Sequence, residues 1–214
     1  MTDTKAIVLL SGGLDSATAL AIAKEEDFEP YALSINYGQM HSIELGYAMT
    51  QGMLAASHKL VTMDLSSIAG SSLVGTKACR NGLPTTYVPA RNAILLSLAL
   101  CYAETIGAYD IFIGANAIDY SGYPDCREDF LRAFEQMAKT YERPKAVRIH
   151  APLLTMSKAG IICTGFHLNV DYSQTWSCYS PMGSKACGGC ESCKIRLKGF
   201  ADAGMKDPVA YAQA

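Results

Sequence analysis

The sequence predicts an α/β fold: a parallel β-sheet with helices on both faces and a small cysteine-rich appendage at the end. Three observations predict it. Apolar, β-branched runs of strand length alternate with longer stretches of helical periodicity. The connections between them are short, as in strand–helix–strand units. At about Asp171 the composition changes, and Cys, Gly, Ser and Tyr dominate. The chain is therefore divided into residues 1–170, the sheet-and-helix part, and residues 171–214, the appendage, folded as one compact unit.

The elements are read in chain order. "AIVLL" (6–10) reads as a strand and "LDSATALAIAKEE" (14–26) as a helix. "PYALSIN" (30–36) is the second strand, followed by a helical stretch over 41–57. "LVTMDL" (60–65) is the third strand, and a Gly/Ser-rich loop (66–86) leads into the helix at 90–107. "DIFIGAN" (110–116) is the fourth strand, followed by a helix over 127–141. "VRIHAPLL" (147–154) is the fifth, with a weaker helix over 157–168. In open parallel sheets ligands sit beyond the carboxyl ends of the strands. That directs attention to residues 11–16, 37–41 and 116–127.

The chain has 214 residues, half of them hydrophobic (50%) and 18% charged, which suits a folded domain with a sizeable core and excludes a disordered one. A net charge of −2 offers no basic footprint for nucleic acid. No secretory or transit pattern precedes the first strand. The longest strongly apolar piece (93–103) contains Ser97 and is too short to span a bilayer. Eight cysteines without a signal segment point to metal rather than disulfides, and to the cytoplasm.

The first strand runs into "SGGLDS" (11–16). Gly12 and Gly13 let the backbone approach an anion closely, and the following helix directs its amino end there. Ser11 and Ser16 supply hydroxyl donors. Asp15 repels phosphate unless a cation intervenes, which suggests a magnesium-linked nucleotide. Gly-Gly alone would be an ordinary glycine-rich turn; the whole hexapeptide in this position reads as a phosphate site.

In the tail, Cys187, Cys190 and Cys193 form C-x-x-C-x-x-C, with Cys178 upstream. Four thiolates suit tetrahedral structural zinc. An iron–sulfur cluster is the rival and a redox dithiol a third reading. With all four positions filled by protein, such a zinc has no place for a reacting water. Lys185, Lys194 and Arg196 would offset its negative charge. Cys101 and Cys163 lie in apolar helical patterns and read as core residues, whereas Cys79 and Cys126 fall in loops.

"SGGLDS" resembles the SGGxDS motif of the ATP-pyrophosphatase (PP-loop) superfamily, whose fold is a Rossmann-like, adenine nucleotide alpha-hydrolase-like sheet. The resemblance implies cleavage of ATP between its α- and β-phosphates and adenylation of an acyl or amide oxygen. Further stretches are similar to one branch, the 7-cyano-7-deazaguanine synthases of queuosine biosynthesis. They are "YGQMHSIEL" (37–45), "LPTTYVPARN" (83–92), "GANAIDYSGYPDCR" (114–127), "VDYSQTWSCY" (170–179) and "CGGCESCKIRLKGFADAG" (187–204). Met40 stands where that family has arginine, Gly160 where it has glutamate, and Gln174 where leucine is frequent.

The resemblance implies a reaction of 7-carboxy-7-deazaguanine, ammonia and magnesium-bound ATP that ends in the nitrile, by a homodimer acting on small molecules, with neither nucleic acid nor membrane as partner. Ser11, Asp15, Ser16, Arg91 and Lys158 are the expected catalytic residues. The expected ATP site comprises Leu10, Ser11, Gly12, Gly13, Leu14, Asp15, Ser16, Tyr37, Gln39 and Gly114. The expected substrate site comprises Arg91, Asn92, Asn116, Asp119, Tyr123, Asp125 and Arg127. Asp119 or Asp125 would accept the paired donors of a guanine-like ring. Tyr120 and Tyr123 would stack on it, and Arg127 would hold a carboxylate or phosphate. Against each of these stands a polar turn holding itself together. Lys158 reads equally as a solvated first-turn lysine. His41 and Glu44, at i and i+3, read either as a base pair for ammonia or as a first-turn pairing. His58, His150 and His167 read as structural. The alternatives are an enzyme that stops at the amide, a tRNA-thiolating enzyme using Cys79 or Cys126 to carry sulfur, and a nucleotide-sensing module.

Overall fold

The computed structural model describes residues 4–40, 42–76, 82–118, 123–141 and 144–212. His41, Cys79, Asp119 and Tyr120 lie outside the described residues. Five parallel strands make one sheet, β1 (Lys5–Leu9), β2 (Glu29–Asn36), β3 (Ser57–Thr62), β4 (Asp110–Phe112) and β5 (Arg148–His150), in the order β3-β2-β1-β4-β5. The helices are α1 (Leu14–Glu25), α2 (Ile43–Gly52), α3 (Arg91–Ile106), α4 (Glu128–Ala138), α5 (Lys158–His167) and α6 (Glu191–Asp202).

Burial on both faces explains why β1 reads as an unbroken apolar run. Ile7 and Leu9 point into one core with Leu33, Leu96, Leu100 and Ile111, under α3 and α4. Ala6 and Val8 point to the other side, where Leu10, Leu20 and Phe112 pack beneath α1. Ile7 stands opposite Tyr31 of β2 and Ile111 of β4, so β1 is central and its neighbours leave in opposite directions. That reversal between β1 and β4 opens the crevice in which ligands bind in such sheets. A third cluster, Leu14, Ile161, Ile162, Tyr172 and Phe200, joins α1 and α5 to α6. Among the described residues, no helix is long and apolar enough to cross a membrane.

The structure adjusts several element boundaries. β3 begins at Ser57 rather than 60, and α2 ends at Gly52 rather than 57. The His58 ring of β3 packs so close to Gly52 that a Cβ there would lie 2.3 Å from Nδ1, so the helix gives way to the strand at this point. β4 leaves the ladder after Phe112, where Asn116 turns its amide to the Leu153 and Met156 carbonyls at 2.7 and 2.8 Å. The tail contains a regular helix, α6, which the irregular reading of its cysteine spacing did not anticipate. Cys101 is exposed rather than in the core, because it falls on the outer side of α3. His58, His150 and His167 bond to Ser34, Asp110 and the Cys163 carbonyl respectively.

Candidate active site

The loop after β1 is built by its own side chains. Ser11 Oγ accepts from Gly13 N at 3.2 Å, Ser16 Oγ donates to the Gly13 carbonyl at 3.0 Å, and the two hydroxyls lie 3.1 Å apart. Gly13 occupies the N-cap of α1 without a side-chain cap. The first-turn N–H groups of α1 therefore keep the capacity to bind an anion. Gly12 has φ +88, and a Cβ there would lie 2.1 Å from the Glu44 carbonyl oxygen of α2. Only glycine fits both demands. The Gly12 carbonyl accepts from Gln51 Nε2 at 3.0 Å and from Trp176 N at 2.9 Å, so α2 and the tail together brace the loop.

A cleft of about 210 Å³ opens above the carboxyl ends of β1, β2 and β4. Leu10, Ser11, Gly13, Leu14, Asp15 and Ser16 line its floor, with Gly114 of the β4 end behind them. Tyr37, Gln39 and Glu44 line the side after β2, and Arg91 and Asn92 at the start of α3 line it together with Asn116, Tyr123 and Cys126 after β4. Trp176, Ser177, Cys178, Tyr179 and Ser192 complete it. The tail thus forms a wall of the cleft. Nothing local in "TWSCYS" signals this, because it depends on where α6 packs.

Arg91 is the first residue of α3 and follows Ala90, which holds a left-handed φ of 55. Such strain in a non-glycine residue clusters at functional sites. Burial works against the Arg91 charge, but the Tyr37 and Tyr179 hydroxyls and Asp125 outweigh it and keep the guanidinium charged. Its Nη1 donates to Tyr37 Oη at 3.2 Å. Gln39 bridges the same corner, accepting from Tyr37 N at 2.8 Å and donating to Glu44 Oε1 at 3.1 Å.

Other expected residues stand elsewhere. Asp125 is buried outside the cleft lining, and its Oδ2 accepts from Asn92 N at 2.9 Å while Asn92 Nδ2 donates to the Asp125 carbonyl at 2.9 Å. It caps α3 from across the fold and so positions Arg91. Arg127 is exposed at the N-cap of α4, outside the lining. Lys158 does not line the cleft either. It is buried, with its ammonium 2.6 Å from Asp15 Oδ1. Gly199 of α6 makes room for it, since a Cβ there would lie 2.3 Å from Lys158 Cγ. The Cys126 thiol does face the cleft, but burial raises its pKa to about 11, so it is no ready thiolate for carrying sulfur.

The four expected thiols come together. The Sγ atoms of Cys178, Cys187, Cys190 and Cys193 all lie within 4.8 Å of one another. Zinc with four thiolates at about 2.3 Å places its sulfurs roughly 3.8 Å apart, and Cys187 and Cys193 Sγ are separated by 3.9 Å. Backbone N–H groups of Ser180 and Cys187 point at Cys178 Sγ, and those of Gly189 and Cys190 at Cys187 Sγ. Burial opposes ionisation of Cys187, yet these donors bring it down to about 7. The donor set therefore fits a structural zinc site. Arg196 does not serve it as expected: its guanidinium is bound to Asp207 at 2.8 and 3.0 Å.

The chain is 53% identical over 221 residues to the 7-cyano-7-deazaguanine synthase of Geotalea daltonii, covering 97% of this chain and 96% of that one. It is 50% identical over 225 residues to that of Anaeromyxobacter sp., covering 98% and 97%. Among solved structures, a 4-thiouridine synthetase crystallised with RNA and bound ATP superposes with a TM-score of 0.52 at 15% identity, over 97% of this chain and 47% of that chain. A predicted tRNA methyltransferase subunit from Methanocaldococcus jannaschii gives 0.50 at 18%, over 75% and 73%. These two share the fold. Residues 5–204, which carry the loop, Arg91 and all four thiolates, match the family model described as "Queuosine biosynthesis protein QueC", and on that match and those identities the chain belongs to the QueC family.

Proposed function

We infer that the protein is an ATP-dependent ligase that converts 7-carboxy-7-deazaguanine and ammonia to 7-cyano-7-deazaguanine. The observation that carries this is the convergence of the SGGLDS loop, Arg91 and the thiolate-bearing tail on one cleft, in a chain at least 50% identical over nearly its whole length to such synthases. The substrate carboxylate attacks the α-phosphorus of ATP and pyrophosphate leaves. Ammonia displaces AMP to give the amide. A second ATP adenylates the amide oxygen, and loss of AMP leaves the nitrile.

In this reading the Ser11 and Ser16 hydroxyls and the amino end of α1 stabilise the charge that develops on pyrophosphate. Magnesium enters as part of the nucleotide, with Asp15 as the carboxylate at the loop. Lys158 acts through Asp15, setting its position and charge. Arg91, held by Tyr37 and by the Asp125–Asn92 cap, faces the activated oxygen. Asn92, Asn116 and Tyr123 form the purine side of the cleft. Cys178, Cys187, Cys190 and Cys193 would hold zinc, which ties down the tail wall and helps exclude water from an acyl adenylate that would otherwise hydrolyse. Exposed Met49 on α2, Met53 at its C-cap and Leu60 on β3 support a homodimer.

The test is direct. Protein incubated with the carboxylate, ATP, magnesium and ammonium should yield the nitrile and AMP by mass spectrometry. Accumulation of amide without nitrile would leave the enzyme at the first half-reaction, and neither product would end the reading.

A further inference from the structure

Two carboxylates among the described residues line the cleft, Asp15 and Glu44. They differ in one respect. Asp15 is neutralised by Lys158 at 2.6 Å. Glu44 accepts from the neutral Gln39 amide at 3.1 Å and, among the described residues, forms no ion pair. Its position is constrained from two sides. Gln39 is itself oriented by Tyr37 N at 2.8 Å, and the first turn of α2 presses on the phosphate loop, with the Glu44 carbonyl where a Gly12 Cβ would be. Glu44 is therefore an ionisable group held at the cleft that, among the described residues, forms no direct ion pair and feels the Arg91 charge only at longer range.

The charged and titratable groups around it are Tyr37, after β2, and Arg91 of α3. Facing it across the cleft are Asp15 of α1, Tyr123 and Cys126 before α4, and Tyr179 of the tail. Burial raises Glu44 to about 7, against the lowering pull of Arg91 and of the Gln39 hydrogen bond. A base poised near neutrality is suited to proton transfer at working pH.

The proposed reaction requires such a group twice, and the role of Glu44 rests on that reaction. In the first half, nitrogen arrives mostly as ammonium. One proton must leave before the lone pair can attack the acyl carbon. The C–N bond then forms, the C–O bond to AMP breaks, AMP departs with that oxygen, and a second proton leaves nitrogen to give the amide. In the second half, the amide oxygen displaces pyrophosphate from ATP. The resulting O-adenylated iminium loses both nitrogen protons as the C–O bond breaks, AMP leaves and C≡N forms. Ser11 and Ser16 are engaged with each other and the loop, and Cys126 is a protonated thiol. We propose that Glu44 is the catalytic base that takes protons from the substrate nitrogen in both half-reactions, with Gln39 as its positioning residue.

The test uses the full zinc-loaded protein and Glu44→Gln. Carboxylate-dependent exchange of pyrophosphate into ATP reports adenylation alone and should persist within about threefold. Amide formation from ammonium should fall by about 10² to 10⁴, the worth of a positioned general base. Nitrile formation from supplied amide should fall by a similar factor. Hydroxylamine, unprotonated at neutral pH, needs no first deprotonation, so hydroxamate formation should survive. Glu44→Asp, which keeps a carboxylate, should recover part of the rate; it carries the test if the Gln variant loses zinc or folded structure. The role is overturned if Glu44→Gln makes nitrile within threefold of the native rate, or if exchange falls in parallel with amide formation. A native protein that shows exchange but no nitrile overturns the second half-reaction and Glu44's part in it. A native protein without exchange overturns the reaction itself.

Discussion

Lys158 Nζ donates to Asp15 Oδ1 at 2.6 Å, joining the first residue of α5 to the second residue of α1 across 143 positions of sequence. Both side chains are largely withdrawn from solvent, at 9% and 19% exposure. Removing one partner leaves a charge uncompensated, which costs about 3 kcal/mol for buried pairs. Lys158→Met should lower stability by roughly that amount in urea melts, and lower carboxylate-dependent AMP release by tenfold or more. Adding Asp15→Asn should restore much of the stability while leaving activity low, which separates the ion pair from the chemistry.

The two glycines of the loop should respond differently to the same change. Gly12→Ala puts a Cβ at positive φ and 2.1 Å from the Glu44 carbonyl. Strain and clash together should exceed about 2 kcal/mol and abolish ATP binding. Gly13→Ala meets nothing nearer than 3.3 Å, at an ordinary φ of −81. Its cost should stay under about 1 kcal/mol. Thermal melts and nucleotide titration of the two variants check this.

Metal removal should silence the cleft as well as loosen the tail. Trp176 is the only tryptophan in the chain, is 3% exposed, and donates through Nε1 to the Cys178 carbonyl at 3.1 Å. Chelation, or Cys193→Ser, should shift Trp176 emission to the red. Activity should fall in step, since Trp176 to Tyr179 form one wall of the site. Elemental analysis of the native protein should find one zinc per chain.

Arg196 and Asp207 form a bidentate pair at 2% and 8% residue exposure, with the guanidinium also donating to Thr175 Oγ1 at 2.7 Å and the Tyr172 carbonyl at 2.9 Å. Arg196→Met alone strands the Asp207 carboxylate and should cost about 3 to 5 kcal/mol. Arg196→Met with Asp207→Leu should recover part of that loss in denaturant melts.

Glu44 makes stability depend on pH. Its folded-state value of about 7 lies above the ordinary 4.5. The folded protein therefore holds a proton that the unfolded chain releases earlier, and folding loses stability as pH rises from about 4.5 to 7. Glu44→Gln should match the native melting temperature near pH 4 and exceed it at pH 8.

Local chemistry made much of this legible. β1 and α1 appear where the apolar run and the helical period place them, because those patterns report local geometry directly. The thiolate cluster was readable because C-x-x-C spacing brings sulfurs within reach of one metal almost regardless of the rest. Boundaries were harder. The end of α2 depends on the His58 ring lying against Gly52, and the end of β4 on where Asn116 finds its carbonyls.

The sequence by itself determined the alternation of strands and helices, the glycine-rich loop between β1 and α1 and the four cysteines that gather in the tail, since each is encoded within a few residues. The tertiary structure alone decided the pairing of Lys158 with Asp15 and the clearance that Gly199 provides for it. It also decided that Asp125 caps α3 rather than lining the cleft, that the tail is a wall of the cleft, and that Glu44 lines it with no direct ion pair among the described residues. These depend on which faces meet after packing, and no stretch of chain carries that information alone.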